Sequence, residues 1–182
     1  VNDQIEEVKT KIDLGKLVID PFEFMALTDE PRLLRKITEV YAKKNYPRSD
    51  ILPKIDFYPI HNKIRIGYFS ADFRLHPVST LTAQLYEMHD RNKFEVHAFS
   101  FGPDTNDEMN LRIKSGVDHF HDVRLMSHKE VALLARSVEL DIAVDLGGFT
   151  QDTRTGIFAM RAAPIQVNYL GYSGTMGAEY ID

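Results

Sequence analysis

The chain has 182 residues, 43% of them hydrophobic and 27% charged, which describes a globular protein with enough apolar mass for a real core and argues against a mainly disordered one. A formal net charge of −5, with no basic cluster interleaved with aromatics, argues against nucleic acid as a partner. The absence of cysteine excludes a disulfide framework and thiolate metal sites and fits a reducing cytoplasm, while no apolar run approaches the length of a membrane span, so no membrane partner is expected.

Residues 1 to about 60 read as a helical lead-in followed by a linker. Ile5, Val8 and Ile12 keep helical spacing, as do Leu33, Leu34, Ile37, Val40 and Tyr41. Thr28 is the expected N-cap of the second helix, with Asp29, Glu30 and Pro31 in its first turn, where negative charge and proline are best tolerated. The stretch NYPRSDILPKIDFYPIHN carries Pro47, Pro53 and Pro59 and predicts an extended linker. The domain boundary is placed there, giving a lead-in over 1–60 and one α/β unit over 61–182.

From Lys63 onward short apolar runs alternate with helical patterns, the signature of β-α-β units and a mostly parallel sheet. Strands are predicted over 63–70, 94–101, 119–123, 141–146 and 164–170. Pro77 is suited to start the first intervening helix, in which Val78, Leu81, Leu85 and Met88 share one face. A shorter helix is expected to end near Gly116. Ser127 and Glu130 form a capping box ahead of the stripe Val131, Leu134, Ala135 and Val138. A last helix is predicted from Asp152 to Met160. No internal repeat or low-complexity segment is present. The opening VNDQIEEVKT and the closing GAEYID both read as cuts, so a piece of a longer protein is expected.

Ligands of open α/β sheets bind beyond the carboxyl ends of the strands. That edge carries ADFRLHP, GPDTND, GGFTQDTR and GYSGTMG, and glycines gather in the last three. Glycines also end strands for purely conformational reasons, so no single loop decides the matter. Neither a dinucleotide fingerprint nor a P-loop is present, and no Asp-x-Asp pair is available to hold a metal on a sugar nucleotide. Histidine has the ordinary pKa best suited to general-base work near neutrality, and His76 closes the first loop beside a helix start. His119 and His121 form an H-x-H on one side of a strand, with Asp122 and His128 nearby, but a third metal ligand at sound spacing is not evident. His61 lies in the linker, His89 at a helix end, and His97 on a strand facing a neighbour. Asp72, Arg74, Asp152 and Arg154 read as substrate contacts or, more simply, as solvated loop ion pairs.

At KIRIGYFSADFRLHPVS, AVDLGGFTQDTRTGIFAMRAAPIQVNYLGYSGTMGAEYID and DPFEFMALTDEP the chain resembles the O-linked N-acetylglucosamine transferase family, in its bacterial SPINDLY-like branch. The likeness spans nearly all of residues 17–182. It implies the amino-terminal Rossmann-like half of a two-domain GT-B glycosyltransferase, in a family usually preceded by tetratricopeptide repeats. It also implies an inverting, metal-independent transfer of a sugar from a nucleotide donor to protein Ser or Thr hydroxyls, with no cofactor. UDP-N-acetylglucosamine is the expected donor, with fucose transfer known in the SPINDLY branch, and it is expected to be held mainly by a second half outside this chain.

Under the resemblance His76 matches the histidine of the family's HP motif, proposed there as base or as orienting group, and Gly148, Thr150, Gly171, Tyr172, Gly174 and Thr175 match loops that line the cleft. Thr80 and Ser173 depart from animal members, which often have histidine and proline there, and the family's acidic base candidate has no counterpart on the Ser127–Leu140 helix. The alternative is an inactive protein-binding module of the same fold. Neither the resemblance nor the residues define the oligomeric state.

Overall fold

The computed structural model describes residues 2–56 and 58–182, with side chains from residue 6 onward, so the expected packing of Ile5 lies outside the described residues. Three helices lead in: α1 (Asn2–Asp13), α2 (Pro21–Phe24) and α3 (Pro31–Asn45). Ile12, Phe24, Leu33 and Ile37 are buried together, with Val8 and Leu34 against them, which is the face the helical spacing predicts. The start of α3 differs from expectation. Glu30, at φ −79° and ψ 103°, is its N-cap, and Thr28 instead accepts a hydrogen bond from the Glu30 N–H at 3.2 Å. Proline clashes with a helical residue before it, so Pro31 holds Glu30 extended and the helix cannot begin earlier.

The segment after α3 has no helix or strand among its described residues, as the prolines predict, yet it is packed down. Leu52 is buried, the Ser49 N–H donates to the Ala159 carbonyl at 2.9 Å, and Arg136 reaches the Pro53 carbonyl at 2.6 Å.

Five strands follow, β1 (Ile64–Ser70), β2 (Phe94–Ser100), β3 (His119–Asp122), β4 (Ile142–Asp145) and β5 (Ile165–Asn168), each inside its predicted run. They form one parallel sheet in the order β3-β2-β1-β4-β5. Alternation along the strands sends Ile66, Tyr68, Val96, Ala98 and Val144 to one face, under α4 (Pro77–Met88) and α5 (Glu108–Gly116). Phe69, Phe99 and Ala143 face the other way, under α6 (His128–Ser137) and α7 (Gly156–Ala159). There Phe69 and Phe99, paired across β1 and β2, stack at 4.4 Å between ring centroids. Both faces are covered, as a parallel sheet requires.

Two helices correct the sequence reading. In α4 the apolar stripe is not the buried one: Leu81 and Met88 are 68% and 72% exposed, while Ser79, Thr82, Ala83 and Tyr86 face the sheet. The small residues let the helix sit close, and Tyr86 fills the remaining space against Tyr68 and Phe73. The last helix begins at Gly156 rather than Asp152. Asp152 has φ +60°, which no right-handed helix accommodates, and the Thr155 hydroxyl is drawn back to the Gly148 carbonyl at 3.2 Å.

The capping box of α6 is present as expected, with the Glu130 N–H donating to Ser127 Oγ at 3.3 Å and the Ser127 N–H to Glu130 Oε2 at 2.7 Å. Ser127→Ala should therefore lower unfolding free energy by about 1 kcal/mol in urea melts; no loss would mean the box contributes nothing to the fold.

Candidate functional site

The carboxyl edge of the sheet is built loop by loop from hydrogen bonds. After β1, Ser70 Oγ accepts from the Asp72 N–H at 2.9 Å and Ser79 Oγ donates to the Asp72 carbonyl, which folds the 71–76 loop back onto α4. Asp107, the N-cap of α5, joins this loop to the next: its Oδ2 accepts from the Leu75 N–H at 2.9 Å and its Oδ1 from the Asn110 N–H at 2.8 Å. The Thr105 hydroxyl together with these N–H groups holds the Asp107 carboxyl down at about 2.

His76 is the N-cap of α4, in extended conformation, and its Nδ1 accepts from the Val78 N–H at 3.3 Å. A neutral ring that accepts at Nδ1 carries its proton on Nε2, so His76 offers a donor rather than a lone pair to whatever lies beyond the loop. Asp72 Oδ2 stands 3.6 Å from the same Nδ1, too far for a hydrogen bond, and Asp72 Oδ1 pairs with Arg74 at 3.1 Å. Asp72 and Arg74 thus form the loop ion pair expected from the sequence. A depression of about 470 Å³ opens beside the ring, lined by Leu75, His76, Pro77, Thr80 and Leu81.

The loops after β4 and β5 interlock through their glycines. Gly148 has φ +57°, and a Cβ there would meet Tyr172 Cβ at 2.4 Å; a Cβ on Gly171 would meet the Leu146 carbonyl oxygen at 2.0 Å. Two backbones approach closely here, and a side chain at either position would part them. Thr150 caps its own turn by donating to the Gly147 carbonyl at 2.8 Å, and exposed Thr175 accepts from the Gly177 N–H at 3.3 Å. Tyr172 is 2% exposed, with its ring edge-on to Phe149 and over Gly174, and its hydroxyl has no hydrogen-bond partner among the described residues. The matched residues thus divide in two. His76, Thr150 and Thr175 present polar atoms at the edge, while Tyr172 and the glycines set the backbone.

Sequence reading missed Asp145. It ends β4, is fully buried, and its Oδ1 accepts from the Gly147 N–H at 2.9 Å and the Gly148 N–H at 3.0 Å, while Oδ2 has no partner among the described residues. Burial pushes its carboxyl up to about 6 against the pull of the two glycine N–H groups. An aspartate closing an apolar strand just before Gly-Gly was the available signal. Arg154 is not a solvated loop charge either: it donates to the Val123 and Met126 carbonyls at 3.0 and 2.6 Å.

The other histidines lie elsewhere. His89 packs beside Tyr68, 2.8 Å from its hydroxyl, and His61 joins Glu139 at 2.8 Å. His128 sits against Gly156 and Asp122 pairs with Arg124, so neither joins the H-x-H. His97 and His121 stack with Nδ1 and Nε2 3.1 Å apart, and burial lowers both, His121 to about 4. A second depression, about 540 Å³, lies at the opposite end between the 48–58 segment and Arg136 and Arg161. Those arginines are engaged with backbone carbonyls, which leaves the carboxyl edge as the candidate site.

The family model described as glycosyl transferase family 41 matches residues 33–182. The chain belongs to that family. It is 42% identical, over 96% of its length, to the Arabidopsis thaliana protein named "Probable UDP-N-acetylglucosamine--peptide N-acetylglucosaminyltransferase SEC", of which it covers 19%. It is 37% identical over 70% of its length to a peptide N-acetylglucosaminyltransferase of Caenorhabditis elegans, covering 11% of that protein. Among solved structures it superposes on an O-GlcNAc transferase mutant of Thermobaculum terrenum with a TM-score of 0.77 at 29% identity, over 88% of this chain and 31% of that one. The chain therefore spans a fifth or less of the length of these curated relatives.

Between roughly pH 3.8 and 6 the native state holds a proton on Asp145 that the unfolded chain releases, so wild type loses stability as pH rises through that window. Asp145→Asn removes the titration, and its stability should gain on wild type by on the order of 2–3 kcal/mol between pH 4 and 7; a gap independent of pH would contradict the assignment. Gly148→Ala should destabilise by at least about 1 kcal/mol in denaturant titrations, because it adds a collision to a left-handed backbone.

Proposed function

We propose that residues 61–182 form the amino-terminal, Rossmann-like half of a GT-B catalytic region, in a protein that transfers N-acetylglucosamine from UDP-N-acetylglucosamine to Ser or Thr hydroxyls of other proteins. The observation that carries this reading is the family 41 match over residues 33–182, together with the superposition on an O-GlcNAc transferase. The peptide transferase names of both relatives support a protein acceptor and a nucleotide-sugar donor. In this reading the lead-in joins the half to tetratricopeptide repeats, and the protein works in the cytoplasm. No helix among the described residues is long and apolar enough to cross a membrane.

The transfer is inverting and needs no metal. The acceptor hydroxyl oxygen attacks the anomeric carbon from the face opposite the diphosphate; the new C–O bond forms as the bond to phosphate oxygen breaks, and the diphosphate leaves with the electron pair. The hydroxyl proton passes to a base. With its proton on Nε2, His76 serves this step as a hydrogen-bond donor that orients an oxygen at the reacting centre, and the α4 N-terminus behind it favours developing negative charge. The loops carrying Gly148, Thr150, Gly171, Tyr172, Gly174 and Thr175 form the wall of the cleft on the β4–β5 side, next to the β1 loop that carries His76. A second Rossmann-like half supplies the opposite wall and most contacts to the uridine diphosphate.

The test is transfer of labelled N-acetylglucosamine by the intact protein. His76→Asn retains a side chain suited to capping α4 but lacks the reach of the imidazole. It should fold with near wild-type stability and lose at least about 10²-fold in kcat. Equal rates for His76→Asn, His76→Ala and wild type would remove His76 from the mechanism.

A further inference from the structure

The amino-terminal half of β2 and the start of β3 carry a polar corner that the transferase reading does not use. Glu95 and His97 stand two residues apart on β2, and His119 lies directly across from His97 on β3, so all three side chains leave the same face of the sheet. Glu95 Oε1 is 3.0 Å from His97 Nε2 and 3.3 Å from His119 Nε2, and one ligand atom from each of the three residues lies within 4.8 Å of the other two. Zinc bonds of about 2.0–2.2 Å at tetrahedral angles put neighbouring ligand atoms roughly 3.3–3.5 Å apart. Two edges of that triangle are already close to the required length.

The surroundings fit an ion as well. His97 is 2% exposed, and its Nδ1 is paired with His121 Nε2 at 3.1 Å. His121 can accept the Nδ1 proton of His97 as a hydrogen bond, which frees the Nε2 lone pair toward the corner, the role an outer-shell partner plays for a metal-bound histidine. The His119 side chain is 50% exposed and gives the ion a way in. Arg65, the nearest cation, stands 3.9 Å from Glu95 but is held by Glu139 at 3.0 Å. The H-x-H pattern supplied one ligand and one supporting ring; the missing ligands came from the neighbouring strand, where sequence spacing could not show them.

We propose that Glu95, His97 and His119 bind one divalent ion of the zinc class, with water completing a four-coordinate shell. Two imidazoles and one carboxylate favour zinc over magnesium or calcium. The ion clips the four-residue edge strand β3, paired with β2 alone among the described residues, to the body of the sheet. It sits away from the carboxyl edge and takes no part in sugar transfer.

The intact protein, stripped with chelator, is dialysed against Zn²⁺ and its metal counted, and is separately titrated with Co²⁺ while the visible spectrum is followed. Wild type should bind one ion more per chain than His119→Ala, a substitution at a half-exposed ring. His119→Ala and Glu95→Gln should each weaken Zn²⁺ at least 10-fold, and His121→Phe by about 10- to 100-fold. The strong visible bands of four-coordinate cobalt should appear in wild type and vanish in His119→Ala, and Zn²⁺ should raise the melting temperature of wild type more than that of His119→Ala. Equal binding by wild type, His119→Ala and Glu95→Gln would overturn the site. So would loss of the ion in His61→Asn, at the neighbouring His61–Glu139 pair, with retention in His119→Ala.

Discussion

The backbone at the end of β4 has to turn sharply while two of its amides point into the protein, and one buried carboxylate makes that possible. Asp145 accepts both N–H groups, from Gly147 and Gly148, through a single oxygen, and its other oxygen has no partner among the described residues. An unpaired buried oxygen is costly, and the same burial pushes the carboxyl up to about 6. With the turn fixed, Gly148 can adopt φ +57° and Gly171 can lie on the Leu146 carbonyl, so the loops after β4 and β5 are locked as one unit. Thr153 and Thr155 then hang on the Gly148 carbonyl, which sets where α7 begins.

The same turn connects the sheet to the helical lead-in. Phe149, immediately after the glycines, stacks on Tyr46 and meets Tyr41 edge-on, and Tyr172 packs on its other side. Ala42 and Met176 complete this cluster, and the Tyr180 hydroxyl closes it by donating to the Tyr46 carbonyl at 2.9 Å. Residues flanking the candidate cleft are thus held from behind by α3. Phe149 and Tyr172 thus join α3 to the loops after β4 and β5.

Much of this was legible in sequence, and the exceptions have physical causes. Strands β1 to β5 stood out because a sheet buried on both faces writes continuous apolar runs, and the α6 capping box was readable because its two partners are three residues apart. The α4 stripe misled because periodicity fixes the spacing of a face but not which face meets the sheet; small residues and Tyr86 won through close approach. Thr28 lost to Pro31, whose ring dictates the residue before it. His76 stood out in sequence from its place behind a strand, but which of its ring nitrogens accepts from the Val78 amide is a detail of geometry. Asp145 and the Glu95–His97–His119 corner were hidden because their partners come from turns or neighbouring strands.

The central claim is that the carboxyl edge of this sheet forms one wall of a transferase cleft with the Nε2 proton of His76 directed into it. A structure of the intact protein with a nucleotide sugar bound tests this most directly. The account predicts the donor sugar over the loops after β1, β4 and β5, with a substrate oxygen within about 3 Å of His76 Nε2 while Nδ1 stays on the Val78 amide. A donor bound at the opposite end of the sheet, or a His76 ring turned so that Nδ1 donates to Asp72 and Nε2 accepts from substrate, would contradict it.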